Sequence, residues 1–103
     1  KDDEINKLRE ALVNNPNSIE ILIEISNKLY YLEKYDESIA SCLDVLKIDN
    51  NNKFAYNNMC ACYNQKKQWF KAEKACKRAL DIDPNFDIAK NNLNWALNSI
   101  NKQ

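Results

Sequence analysis

The 103-residue sequence contains no glycine, no histidine and only two prolines. Tight β-hairpin turns, phosphate-cradling loops and dinucleotide fingerprints all rely on glycine for positive φ or for close backbone approach. Their absence argues against β-rich and nucleotide-binding readings. Without histidine the commonest general base and metal ligand is missing, so no enzyme is expected, no catalytic residue is assigned, and no cofactor or metal is called for. Long apolar runs are also lacking, as nothing approaches the ~18 residues of a membrane span. The opening Lys1-Asp2-Asp3-Glu4 is not a signal peptide.

What is present is a soluble-domain composition: 45% hydrophobic residues, 29% charged, 15 basic against 15 acidic side chains. This is too apolar for intrinsic disorder and suits one domain. A period of 34 residues organises it. Ile19 to Asn52 and Lys53 to Phe86 align without a gap. Leu22, Ile25, Ser26 and Leu29 fall in the columns of Tyr56, Met59, Cys60 and Tyr63. Tyr35, Ser38, Cys42, Val45, Leu46 and Asn50 fall in those of Trp69, Ala72, Cys76, Ala79, Leu80 and Pro84. The flanks keep the register, with Leu8, Ala11 and Leu12 before the first repeat and Leu93, Asn94 and Leu97 after the second.

Apolar residues at i, i+3, i+4 and i+7 make each segment an amphipathic helix. The pattern predicts six, near 3–14, 18–32, 35–48, 52–66, 69–82 and 86–101. Ser18 and Asn52 are expected N-caps, and asparagines in the turns are expected to take the left-handed conformation that glycine would otherwise supply.

The spacing aromatic-x2-apolar-small-x2-aromatic, followed by Ala72, Cys76, Ala79 and Pro84, resembles the tetratricopeptide repeat (TPR) family, and Ala79-Leu80-Asp81-Ile82-Asp83-Pro84-Asn85 is similar to that family's repeat end. The resemblance spans the chain. It implies an all-α fold, a right-handed superhelical solenoid of about six antiparallel helices in a single domain, 1–103. Within it, 1–18 holds the second helix of a partial repeat, 19–52 and 53–86 are full repeats, and 87–103 is a capping helix. The polar run of asparagines from Asn91 to Asn101 suits that cap. Departures from the family pattern are Ser26 and Cys60 in its glycine column and no proline at the end of the first repeat.

Four cysteines raise the question of disulfides or metal. Cys60 and Cys62 lie about 200° apart around a helix, so they cannot share one ion. Cys42 and Cys76 occupy one buried column. All four are expected to be small packing residues in a reducing compartment.

By resemblance, first helices of successive repeats line a concave groove that binds a partner's peptide. Carried over by column, the groove takes Glu20, Ile23, Glu24, Asn27 and Tyr31 from the first repeat. Phe54, Asn57, Asn58, Ala61 and Gln65 come from the second, and Ile88, Asn91, Asn92, Trp95 and Ser99 from the last helix. Carboxamides donate and accept at once, and Ile23, Phe54, Ile88 and Trp95 are the expected apolar anchors, Trp95 being the aromatic expected to be most exposed. Asparagine is abundant throughout, at 17 residues, so a groove rich in it also reflects composition. The columns in which family members place cations for an acidic chaperone tail hold Ile23, Ile88 and Asn92, so such a tail is not the expected ligand.

Charge is unevenly divided. Residues 19–52 carry 3 basic and 7 acidic side chains, net −4, and 53–86 carry 7 basic and 3 acidic, net +4. The expected role is a non-catalytic scaffold that binds a protein segment, without nucleic acid or membrane contact, in the cytoplasm. The alternative is a self-associating, spacer or regulatory domain of a larger enzyme or membrane-anchored protein.

Overall fold

The computed structural model describes residues 2–103; the first residue of the expected partial repeat, Lys1, lies outside them. Six helices follow one another: α1 (Asp2–Asn14), α2 (Ile19–Tyr31), α3 (Tyr35–Ile48), α4 (Lys53–Gln65), α5 (Trp69–Ile82) and α6 (Asp87–Asn101). They form an all-α solenoid with extents of 44 × 26 × 19 Å.

Capping sets the helix starts. Ser18 accepts from the Ile21 amide and Asn52 from the Ala55 amide, each satisfying one orphan donor of the first turn. The left-handed turn residues are not asparagines. Glu33 and Lys67, 34 positions apart, carry φ of 61° and 60°. The reason is the pattern of backbone hydrogen bonds closing these helices: Lys34 N donates to Leu29 O and Gln68 N to Tyr63 O, both at 2.9 Å. That wrap needs a left-handed residue whatever its side chain, and here no glycine supplies it.

Packing follows the apolar stripes. Leu22, Val45, Met59, Ala72, Ala75 and Ala96 lie in one continuous core that runs from α2 to α6, while Ile5 of α1 packs with Ile25 and Leu29 of α2. Burying a side chain as completely as Leu29 is worth about 1.5–3 kcal/mol. The first helices touch one another, α2 with α4 and α4 with α6, whereas α3 and α5 make no mutual contact. The first helices therefore form an inner layer and the second helices a splayed outer one.

Small columns bring the layers together. In the first repeat Ser26 Oγ lies 3.0 Å from Ser38 Oγ and 3.1 Å from Cys42 Sγ, and Ser38 donates to the Ser26 carbonyl at 2.8 Å. In the second repeat the equivalent pair, Cys60 and Cys76, is joined as a disulfide. The reading of all four cysteines as unlinked packing residues therefore holds only for Cys42 and Cys62, both buried free thiols. The correction has a simple cause: small side chains at this crossing set the two Cα atoms 5.4 Å apart, inside the disulfide range. Cys62, two residues on, points away from Cys60 as expected, toward Ser38.

One contact closes the second repeat and another ties the two repeats together. Lys53 Nζ lies 2.5 Å from Asp83 Oδ2 and 4.8 Å from the Phe86 ring centre, and Phe86 meets Phe54 edge to face at 5.5 Å. The ammonium, with the Asn85 amide, holds the Asp83 carboxyl below its ordinary range. Lys66 pairs with Asp36, tying α4 to the start of α3. Among the described residues no helix is long and apolar enough to cross a membrane.

Candidate functional site

The inner layer carries a cleft of about 340 Å³, lined by Asn27, Tyr30 and Tyr31 of α2, Asn58 and Ala61 of α4, and Ile88 and Asn92 of α6. Three successive first helices contribute to it, which their mutual contact allows.

Asparagines in this region are partly tied to each other. Asn58 Nδ2 donates to Asn27 Oδ1 at 2.8 Å and to Ser26 Oγ at 3.3 Å. Asn92 Nδ2 donates to Asn57 Oδ1 at 3.0 Å, and Asn64 Nδ2 donates to the Asn92 carbonyl at 3.0 Å. These bonds bridge α2 to α4 and α4 to α6, setting the spacing of the inner layer. A carboxamide has four hydrogen-bonding positions, so Asn27 Nδ2, Asn58 Oδ1 and Asn92 Oδ1 keep spare capacity after these bonds are counted.

Aromatic groups form one end. Tyr31 is the most exposed large apolar side chain of the cleft at 81%, followed by Ile88 at 58%. Tyr31 stands edge to face with Tyr30 at 5.4 Å, Tyr30 does the same with Tyr35 at 5.6 Å, and the Tyr30 hydroxyl accepts from Gln65 Nε2 at 2.9 Å. Tyr31 is thus held on a rigid aromatic base while its outer face stays in solvent. No lysine or arginine lines the cleft.

The fifteen residues carried over by column separate in space. Asn27, Tyr31, Asn58, Ala61, Ile88 and Asn92 converge on the cleft. Phe54, half exposed, belongs to the Lys53–Phe86 joint. Ile23 is half buried and packs against the core, Asn91 is exposed outside the cleft, and Asn57 is 6% exposed with its carbonyl oxygen occupied by Asn92. Trp95 is 38% exposed, less than Tyr31, Phe70 or Phe54, because its ring leans on Trp69 at 6.3 Å. Tyr30 was not among the expected residues; its column holds Asn64 in the next repeat, so the 34-residue register carries no aromatic signal there.

Elsewhere, burial pushes the Cys42 thiol up to about 12, opposed by its hydrogen bond to Ser26, and burial likewise raises Cys62. Both are inert as nucleophiles at neutral pH. Among the described residues no three metal-ligating side chains gather at one place.

Comparison with known proteins places this geometry. Residues 54–86 match the tetratricopeptide repeat family model. A TPR repeat-containing thioredoxin, TTL4, of Arabidopsis thaliana is 29% identical over 79 residues, which cover 77% of this chain and 12% of that protein. The fold superposes on the first TPR domain of human RPAP3 with a TM-score of 0.92 at 18% identity, covering 98% of this chain and 80% of that one. The first TPR of Spaghetti (RPAP3), solved with the HSP90 peptide SRMEEVD, gives 0.90 at 18% identity over 96% and 79%. MamA gives 0.82 at 19% identity over 93% and 52%.

Proposed function

Starting from a chain that carries a tetratricopeptide repeat within a TPR fold, we propose that it is a non-catalytic protein-interaction module whose inner cleft binds an extended peptide segment of a partner. The observation that carries this reading is the convergence of Asn27, Asn58 and Asn92 with the exposed faces of Tyr31 and Ile88 on one cleft spanning three helices. Spare carboxamide capacity brackets a peptide backbone, and Tyr31 and Ile88 give a ligand side chain an apolar seat. Aromatic anchors of this kind dominate binding energy.

The chemistry of the lining selects the ligand class. The RPAP3 domain of similar fold was solved with an acidic peptide, but here no cation lines the cleft and Glu20 and Glu24 stand exposed on α2. The peptide that fits is neutral or basic, with an apolar side chain for the Tyr31–Ile88 end.

Selection from a displayed random-peptide library, followed by titration of the enriched peptide, tests this. Tyr31→Ala and Ile88→Ala are each expected to weaken binding by about 2 kcal/mol, the scale of an anchor, and Trp95→Ala to leave it nearly unchanged. Enriched peptides that are predominantly acidic, or that bind both cleft variants as tightly as the parent, would reject the proposal.

A further inference from the structure

The splayed outer layer leaves a groove over each first helix. In the first repeat its floor is Leu22, Ile25 and Leu29 of α2, and its walls carry Glu37 of α3 and Arg9 of α1. Arg9 reaches across to Glu37 at 3.6 Å. One repeat later the same columns form a pocket of about 280 Å³, with Tyr56, Met59 and Tyr63 of α4 as its floor and Lys71, Lys74 and Arg78 of α5 along one wall. The register puts Leu43 of α3, 45% exposed, in the column of Arg9, on the rim facing Lys71. Where the first groove is closed by an acid and an arginine, the second has a lysine and a leucine.

We propose that this outer groove is a second docking site, whose occupant is an acidic segment of a partner protein with one apolar side chain among its carboxylates. Lys71, Lys74 and Arg78 recur at i, i+3 and i+7 on one side of α5 and span about 10 Å of its axis. All three are exposed, and among the described residues none of them makes an ion pair. Arg78 lies over the Tyr56 ring at 5.0 Å and Lys71 over the Tyr63 ring at 5.8 Å. Arg78 Nη2 also donates to the Tyr56 hydroxyl at 3.4 Å, and that hydroxyl donates to the Asn50 carbonyl at 3.0 Å. The floor therefore holds two of the three cations at the groove before any ligand arrives, which lowers the ordering cost of binding. A guanidinium carries five N–H donors and an ammonium three, so a cation resting on a ring face keeps donors for carboxylates.

Charge and extent select the ligand. The patch is short, Glu73 and Asp81 stand on the same helix, and the whole chain balances 15 basic with 15 acidic side chains. A nucleic acid takes its affinity from a long track of phosphate contacts, whereas a few carboxylates match three cations. Met59, Tyr63 and Leu43 give the apolar side chain its seat. The two sites use opposite sides of α4, Asn58 and Ala61 facing the inner cleft and Tyr56, Met59 and Tyr63 the outer groove. Their chemistry is opposite too, since no cation lines the cleft. The outer site therefore stands or falls independently of the proposed cleft.

Fluorescence anisotropy of the intact chain tests it. The probe is a fluorescein-labelled peptide of glutamates around a single phenylalanine, beside a counterpart with glutamine for every glutamate. The acidic peptide is expected to bind saturably and at least about tenfold more tightly than its counterpart, and Lys71→Glu with Arg78→Glu to remove at least about tenfold of that affinity. Tyr31→Ala, in the inner cleft, is expected to leave it unchanged. Lys71→Gln with Arg78→Gln repeats the test should circular dichroism reveal lost helix in the charge-reversed chain. Equal affinity for the two peptides, no saturable binding of the acidic one, a charge-reversed chain that binds like the parent, or affinity lost on Tyr31→Ala would each overturn the proposal. So would a single-stranded oligonucleotide that binds more tightly than the acidic peptide and is lost with the same two cations. Peptide selection repeated on the Lys71→Glu, Arg78→Glu chain leaves only the cleft to read, so failure of one site is told apart from failure of the other.

Discussion

Ser26 Oγ lies 3.1 Å from Cys42 Sγ, in the same columns where the second repeat joins Cys60 to Cys76. One crossing of two helices is thus closed by a hydrogen bond in one repeat and by a covalent bond in the next. The disulfide spans 16 residues, a loop for which chain-entropy arguments give about 3 kcal/mol. Reduction with dithiothreitol is expected to lower unfolding stability by that order in urea titrations, and Cys60→Ser to lower it similarly and to remove the response to reductant. An oxidised and a reduced protein with the same midpoint would contradict the bond's contribution.

Glu33 and Lys67 hold left-handed backbone without being glycine. An L-residue there costs roughly 1–2 kcal/mol, and the extra entropy of unfolded glycine offsets about 0.5–1 kcal/mol of any gain. Glu33→Gly and Lys67→Gly should therefore each stabilise by roughly 0.5–1 kcal/mol, by similar amounts because the two turns share one hydrogen-bond pattern. Destabilisation by either substitution in chemical denaturation would refute this.

Cys42 has its thiol pushed up to about 12 from an ordinary 9.0, chiefly by burial. Below the ordinary value both folded and unfolded chains hold the proton, and the full stability is present. As pH rises from about 9 toward 12 the unfolded chain releases the proton first, so stability is lost over that window. Cys42→Ser keeps a hydrogen-bonding group beside Ser26 and does not titrate, so its stability should fall less steeply over the same range. Parallel pH curves for parent and variant would remove Cys42 as a contributor.

Ala72 of α5 is fully buried, in the core it shares with Met59 and Cys60 of α4. Ala72→Leu is expected to destabilise by about 1–3 kcal/mol through overpacking. An unchanged thermal midpoint would mean that the crossing is looser than described.

Helix placement was legible in the sequence because apolar spacing and caps act locally. The expected 18–32 and 52–66 became 19–31 and 53–65, differing at the N-terminal end by the capping residues Ser18 and Asn52 themselves. The Cys60–Cys76 bond was hidden because small residues in a column say that two helices come close, not which pair of atoms meets. The lining of the cleft was half legible. Column transfer named Asn27, Asn58, Ala61, Tyr31, Ile88 and Asn92 of the cleft lining, but it could not foresee that Asn57 turns inward to accept from Asn92, that Trp95 leans on Trp69, or that Tyr30 lines the cleft. Those depend on side-chain direction across helices, which a repeat register does not encode.

The covalent tie between α4 and α5 also makes the two repeats mechanically unequal. Pulled from its ends, the chain can pay out all of the first hairpin, whereas the residues between Cys60 and Cys76 lie inside a closed loop that carries no tension. At about 3.5 Å of extension per residue this withholds on the order of 55 Å of contour length, which reductant would release. Under load the molecule is a short spring with one locked coil.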